Sequence, residues 1–334
     1  MISKELLKAA AEKDIIQQEQ IEPLLAFIQG QQTKPNIESR EEPLKFIRSF
    51  GDVFITLGVV LLVIAINMLS LSGSLYLIPA LGFVLVAEWL VRVRRLALPG
   101  IAILISILYF VNKAIDFDHE NASLFGLGIL SFTSLLFYLR YKMPFSLLPV
   151  AAGLVAIAII QIGVDAIEQP WIFAGLGLIV FIVAMSFDVR DTARVSHLSD
   201  SAFWLHLLAS PLIVHGIMMS LLFSQNEWIQ AIDKELIIIP FFTGFLFLAL
   251  LVDRRAMLVS TQLYMIYALT QVLEGQLDST QNVLIYVLMA LGLLVIFFGT
   301  YWYKTRRLIF GFLSGSVVGR YLPGFDLLDS KSVA

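Results

Sequence analysis

About ten runs of roughly 20 apolar residues, each nearly free of charge, follow one another along the chain with only short polar breaks between them. A helix rises 1.5 Å per residue, so about 20 residues match the ~30 Å hydrocarbon core of a bilayer. No water reaches backbone N–H and C=O groups there, so each run must form a helix or part of a closed barrel. Barrel strands would be ~10 residues long with alternating polarity. These runs are twice that length and do not alternate. The sequence therefore predicts an all-α fold, a polytopic transmembrane helical bundle of about ten spans. They read as 52–70, 74–91, 97–113, 122–139, 145–163, 171–188, 202–223, 235–252, 256–273 and 281–302. Composition agrees: 58% of residues are apolar and 15% charged, against ~45–50% and ~25% in soluble domains.

Charge placement gives the orientation. With both termini on one side, that side holds all but two of the 23 Lys and Arg, Lys113 and Lys234 being the exceptions. Asp116, Asp118, Glu120, Asp165, Glu168 and Glu227 gather opposite. Retained loops are rich in Lys and Arg, so both termini are expected in the cytoplasm of a bacterial inner membrane. The start, MISKELLKAAAEKDIIQQEQ, is charged and amphipathic, unlike the apolar core of a cleavable signal peptide. The absence of cysteine excludes disulfides, thiolate metal sites and cysteine nucleophiles.

Three regions follow: a cytosolic helical N-terminal segment over 1–48, the transmembrane bundle over 49–303, and a cytosolic C-terminal tail over 304–334. The first carries apolar residues at helical spacing (Leu6, Leu7, Ala10; Ile21, Leu24, Leu25) before a polar linker with Pro35 and Pro43. It is too short for a confident core of its own, so it is expected to pack on the bundle, on a second copy or on a protein partner. In the tail, Gly311, Gly315 and Gly319 recur every four residues. They fit either a short helix with one smooth stripe or a flexible exit from the bilayer. The echo of FGLGILSF (125–132) in FAGLGLIVF (173–181) reads first as packing glycines at helix contacts.

Polar residues inside the spans are the functional candidates, because they are costly in hydrocarbon and face the bundle interior. On the ninth span Ser260, Tyr264, Tyr267, Gln271 and Glu274 fall within a sector of about 80°. Such a stripe serves either interhelical hydrogen bonds or a polar pathway with Glu274 at its outer mouth. The seventh span carries FWLHLLASPLIVHG (203–216), with Pro211 expected to kink or hinge the helix. His206 and His215 lie on opposite sides of a straight helix, so they are not an i,i+4 metal pair. Each is either a satisfied core histidine or a proton relay. Glu88 stands four residues before Arg92, as in an ion pair. Asp188, Arg190, Asp191 and Arg194 read as a solvated rim, and Trp171, Trp228 and Trp302 as an aromatic belt.

No phosphate loop, H-E-x-x-H or G-x-S-x-G motif is present, and the four histidines show no metal-ligand spacing. The reading is therefore of a non-enzyme, with no metal, no cofactor and no nucleic-acid partner. EEPLKFIRSFGDVFITLGVVLLVIAI (41–66), after a helical N-terminal segment, and SDSAFWLHLLASPLIVHG (199–216) resemble an uncharacterised, domain-of-unknown-function family of bacterial multi-span membrane proteins. The resemblance implies an inner-membrane location and carries no activity. The ten-span layout is similar to that of drug/metabolite exporters, a likeness of topology alone. The leading expectation is a permease-like protein that binds or passes a small solute or proton between spans seven and nine. Tyr264, Tyr267 and Gln271 would line the site, Glu274 its mouth, and His206 or His215 would be protonatable. The alternatives are a scaffold or sensor that docks a cytosolic partner or a second copy through 1–48, and, more remotely, a lipid-modifying enzyme.

Overall fold

Ten α-helices lie between Phe50 and Phe310, one for each apolar run. The computed structural model describes Leu7, Ala11, Lys13, residues 16–25, 49–115, 122–163, 169–192, Arg194, and residues 196–222, 235–273 and 280–323. The chain divides into two compact units, Met1–Leu44 and Lys45–Ala334. In the first, Gln18–Gln20 forms a 3-10 turn in which the Gln20 side-chain oxygen accepts the Gln17 backbone N–H at 3.0 Å.

The second unit is the helical bundle. Its helices are α1 (Phe50–Met68), α2 (Leu77–Ala87), α3 (Ala97–Ala114), α4 (Ala122–Tyr141) and α5 (Leu147–Ile162), then α6 (Trp171–Arg190), α7 (His197–Leu222), α8 (Glu235–Val252), α9 (Arg255–Leu273) and α10 (Thr280–Phe310). Eight helical stretches among the described residues are long and apolar enough to cross a membrane. The apolar part of α8, Ile237–Val252, is shorter. Helix α9 carries Ser260, Thr261, Gln262, Tyr264, Tyr267 and Gln271 among its 19 residues. The tail begins inside a helix, since α10 carries Lys304, Arg306 and Arg307 in its last turns.

The outer surface is hydrocarbon-like. Phe54, Leu61 and Ile64 of α1 and Leu293 and Ile296 of α10 are exposed. A water-soluble monomer does not leave so broad an apolar surface uncovered. Inside, one core joins α1 to α4 through Val59, Phe83, Ile103, Phe110 and Phe137. A second joins α7 to α10 through Val214, Met218, Phe242, Leu250, Met257 and Trp302. Between them, Val155, Val180, Ala184, Leu205 and Ala209 pack α5, α6 and α7.

Helices α6 and α7 approach most closely, and glycine makes this possible. A Cβ on Gly177 would lie 2.8 Å from the Ile213 backbone nitrogen, and one on Gly216 would lie 2.7 Å from the Pro170 carbonyl oxygen. In hydrocarbon no hydrophobic force joins helices, so close backbone packing does much of that work. Gly175 and Gly128, from the same echoed motifs, meet nothing within 4 Å. Of these motif glycines, Gly177 makes the close backbone contact, and Gly126 is buried. Helix α7 stays α-helical through Pro211.

Four connections contain a residue in the left-handed region, which in three of them directly follows or caps a helix end. Arg95, Lys142, Arg194 and Asp253 all have positive φ, at 54°, 52°, 54° and 59°. They stand in the α2–α3, α4–α5, α6–α7 and α8–α9 turns. The α8 terminus shows the device fully. The Arg254 N–H bonds the Ala249 carbonyl at 3.0 Å and the Asp253 N–H bonds that of Leu250 at 3.3 Å, the paired bonds of a Schellman motif. Glycine usually takes the left-handed position, and Asp is among the few other residues that tolerate it.

The glycines of the tail do not form one stripe. Short 3-10 turns cover Gly311–Leu313 and Gly319–Tyr321, and Gly315, with φ of 75°, separates them.

Candidate functional site

The most concentrated chemistry sits where α6 ends, α7 begins and α8 passes into α9. Asp188 lies in the last turn of α6, where exposed carbonyls make the helix end negative. A carboxylate there needs cations or donors. The His206 Nε2 atom of α7 is 2.9 Å from its Oδ2. The Arg254 guanidinium, at the head of α9, bonds both oxygens, with Nε 3.3 Å from Oδ2 and one terminal nitrogen on Oδ1. The same guanidinium donates to the Ser199 carbonyl at 3.0 Å and to its hydroxyl at 3.3 Å. Asp188 and His206 are 0% exposed and Arg254 is 1% exposed. Three helices thus meet in an ion pair and a histidine sealed from solvent.

The neighbouring residue starts a second cluster. Asp253 accepts the Trp302 indole N–H at 2.6 Å and an Arg194 guanidinium N–H at 2.9 Å. Arg306 stands 3.4 Å from the same carboxylate. Both guanidiniums also serve the end of α8, whose last carbonyls have no helical partner. Arg306 donates to Leu250 at 2.8 Å and to Leu251 at 3.0 Å, and Arg194 donates to the Asp253 carbonyl at 2.7 Å. Two cations on one carboxylate leave a positive excess that the negative end of α8 offsets. Arg306 also bonds the Pro323 carbonyl at 2.7 Å, tying the tail to this joint. Adjacent residues, Asp253 and Arg254, therefore point into two different buried clusters.

Local sequence explains why the α6–α7 turn presents these groups. Asp191 accepts the Ser196 backbone N–H at 2.9 Å and its hydroxyl at 2.7 Å. Ser196 in turn accepts the Leu198 N–H at 3.2 Å, as an N-cap does. The expected solvated rim is thus corrected: Asp188 and Asp191 are buried, and the Arg194 side chain is 11% exposed. Asp188 faces Arg254 and Arg194 faces Asp253, Asp191 is held by Ser196, and Arg190 is exposed as the rim reading expected. Trp302 is corrected from the aromatic belt to the core, at 1% exposure. Trp171 is exposed, as a belt residue would be, and Trp228 lies outside the described residues.

The predicted site residues fare differently. His206 joins the buried triangle. His215 packs its ring edge-on to Phe173, with centroids 5.2 Å apart. Both histidines therefore meet α6 although about two and a half turns separate them on α7. Tyr267 is 41% exposed. The side chains of Tyr264 and Gln271, and Glu274 as a whole, lie outside the described residues. A cavity of about 390 Å³ borders α9 along Leu258, Gln262, Met265 and Leu269, about half a helical turn away from Tyr267.

A third, more open cluster joins α2 to α4. Glu88 pairs with Arg92 at 3.0 Å and with Arg140 at 2.9 Å, and accepts the Tyr141 hydroxyl at 3.0 Å. Helix α2 continues through Glu88–Val93 as a π-helical turn. At the opposite end of α1, Asn67 accepts the Tyr109 hydroxyl at 2.5 Å.

Sequence reasoning missed both buried clusters, Asp188 with Arg254 and Asp253 with Arg194, Trp302 and Arg306. One signal was available: Asp188 falls inside the apolar run 171–188, not beyond it. The chain matches no family model, no curated protein and no solved structure.

Proposed function

We propose that the chain is a permease-like protein of a bacterial inner membrane, a member of the multi-span group it resembles, with ten spans and both termini cytoplasmic. It passes a proton, alone or with a small solute, at the contact of α7 and α9. The observation that carries this reading is the buried Asp188–His206–Arg254 triangle. Ionisable groups inside a membrane domain are costly and characteristically mark proton or ion pathways.

The chemistry works as follows. Arginine keeps its charge at any physiological pH, whereas an imidazole ordinarily changes charge near neutrality. With His206 neutral, Arg254 supplies the counter-charge of Asp188 and holds the head of α9 to α6 and α7. A proton on His206 brings a second positive charge to the same carboxylate. Asp188 can then release Arg254 without being left uncompensated, and α9 can move. Proton entry thus converts a closed joint into an openable one.

Vesicles reconstituted with the full chain and loaded with a pH-sensitive dye test the reading. Wild-type protein should dissipate an imposed pH gradient faster than protein-free vesicles do. His206→Gln and Asp188→Asn should fall to the protein-free rate while retaining helical circular dichroism. Equal rates for wild-type and protein-free vesicles would overturn it.

The separation of Met1–Leu44 as its own compact unit favours a second reading, a scaffold or sensor that docks a partner there. Deleting residues 1–45 distinguishes the two. Proton movement survives the deletion in a permease, whereas a docking protein keeps its membrane domain and loses its role.

A further inference from the structure

The cavity on α9 is a long cleft between α8, α9 and α10, and its chemistry is polarised from end to end. Its lining on α9 runs from Arg255 to Leu269 and on α10 from Trp302 to Ala290. At 1.5 Å per residue these stretches are about 20 Å and 18 Å long, enough to traverse one leaflet, or half of the ~30 Å hydrocarbon core. The volume of about 390 Å³ falls within the ~300–1,000 Å³ of small-molecule sites. The cleft runs along the helices, as an acyl chain runs along the bilayer normal.

The walls are aliphatic and aromatic: Phe242, Leu246, Met265, Leu291 and Phe298 among them. Thr243 borders the cleft with its hydroxyl already committed, donating to the Ile239 carbonyl at 2.8 Å. Gln262 of α9 adds an amide to the lining, and a largely apolar space of this kind holds water poorly. At one end stands a cation. The Arg255 guanidinium lies 5.6 Å from the Trp302 ring centroid and 5.2 Å from that of Tyr303, and contacts of this type hold a guanidinium at an aromatic rim. Exposed Lys304 and Arg307 follow on α10 at the same end. Basic pockets between membrane helices recruit anionic lipid headgroups.

We propose that this cleft binds an anionic phospholipid, with one acyl chain lying between α8, α9 and α10 and the phosphate on Arg255. A soluble anion would leave the long apolar wall empty, and a neutral lipid would make no use of the cation at the mouth. The inference stands apart from the proton pathway, since it uses neither His206 nor Asp188. Gly299 lines the cleft, and a Cβ there would meet nothing within 4 Å, so the space can be filled without a backbone clash.

Native mass spectrometry of the full chain in detergent tests the proposal, using phosphatidylglycerol and phosphatidylcholine of matched acyl chains. Wild-type protein should retain phosphatidylglycerol more strongly and show the larger rise in Tm with it. Arg255→Gln should weaken phosphatidylglycerol retention roughly fivefold, the worth of one basic residue near an anionic surface, while Arg255→Lys keeps most of it. Gly299→Leu should lose retention of both lipids, and Ala290→Leu should do the same if the glycine variant folds poorly. Equal retention of the two lipids by wild-type protein, or undiminished selectivity in Arg255→Gln, would overturn the proposal. So would a full Tm shift from glycerol phosphate alone, which would assign a headgroup site without a chain.

Discussion

His206 Nε2 lies 2.9 Å from Asp188 Oδ2, and neither side chain is exposed to solvent at all. The two residues come from consecutive helices whose backbones touch at Gly177 and Gly216. Close packing and buried charge are therefore parts of one arrangement: the glycines bring α6 and α7 together, and the ion pair brings α9 to both.

Removing one member of a buried ion pair leaves its partner uncompensated, at a cost of about 3–5 kcal/mol, whereas replacing both by apolar groups costs far less. Asp188→Leu is therefore expected to lower Tm sharply, and Asp188→Leu with Arg254→Met to recover most of the loss. Thermal unfolding of the single and double variants in detergent gives the coupling energy directly. Additive losses would show that the pair does not act as a unit.

The α6–α7 contact should be intolerant of a single methyl group. Gly216→Ala would press on the Pro170 carbonyl and the Ala174 backbone, and Gly177→Ala on the Ile213 nitrogen. Overpacking of this kind costs about 1–3 kcal/mol. Gly175→Ala, which meets open space, serves as the control and should leave Tm unchanged or slightly raised, because alanine favours helix.

At Asp253 the backbone and the side chain impose separate demands. Its φ of 59° suits Asn nearly as well as Asp but strains Ala. Asp253→Ala should lose stability on both counts, and Asp253→Asn should retain the turn and the indole bond while forfeiting the charge. Trp302 reports the difference: its fluorescence should shift further in the alanine variant than in the asparagine one. Indistinguishable spectra would argue against the Asp253–Trp302 bond.

The Glu88 cluster is the exposed counterpart, and exposed ion pairs contribute little and are screened by salt. Glu88→Gln should therefore shift Tm much less than Asp188→Leu, and the shift should shrink as salt rises. A salt-independent loss as large as that of Asp188→Leu would mean the α2–α4 contact is sealed within a larger assembly.

The helices were legible because about 20 apolar residues in a row leave the backbone no alternative in hydrocarbon. The site was only half legible. His206 stood out as an imidazole in an apolar run, but its partner is 18 residues away across a turn, and Arg254 is 66 residues from Asp188. Arg254 reads in sequence as one more retained loop cation, since charge bias records which side a residue takes and not whether it faces inward. Trp302 misled for the same reason: distance from a span end locates a depth, not a direction. The polar stripe of α9 was legible as periodicity, yet the cavity lies along its other side, where Met265 and Leu269 looked like ordinary packing residues.

The neighbouring positions 253 and 254 engage opposite parts of the bundle, and a single peptide plane joins them. Such a plane cannot stretch; it can only tilt. A shift of the Arg254 backbone beside α6 and α7 therefore carries with it the backbone of Asp253, whose carboxylate accepts the Trp302 indole of α10. The α8–α9 joint thus places both clusters on one hinge.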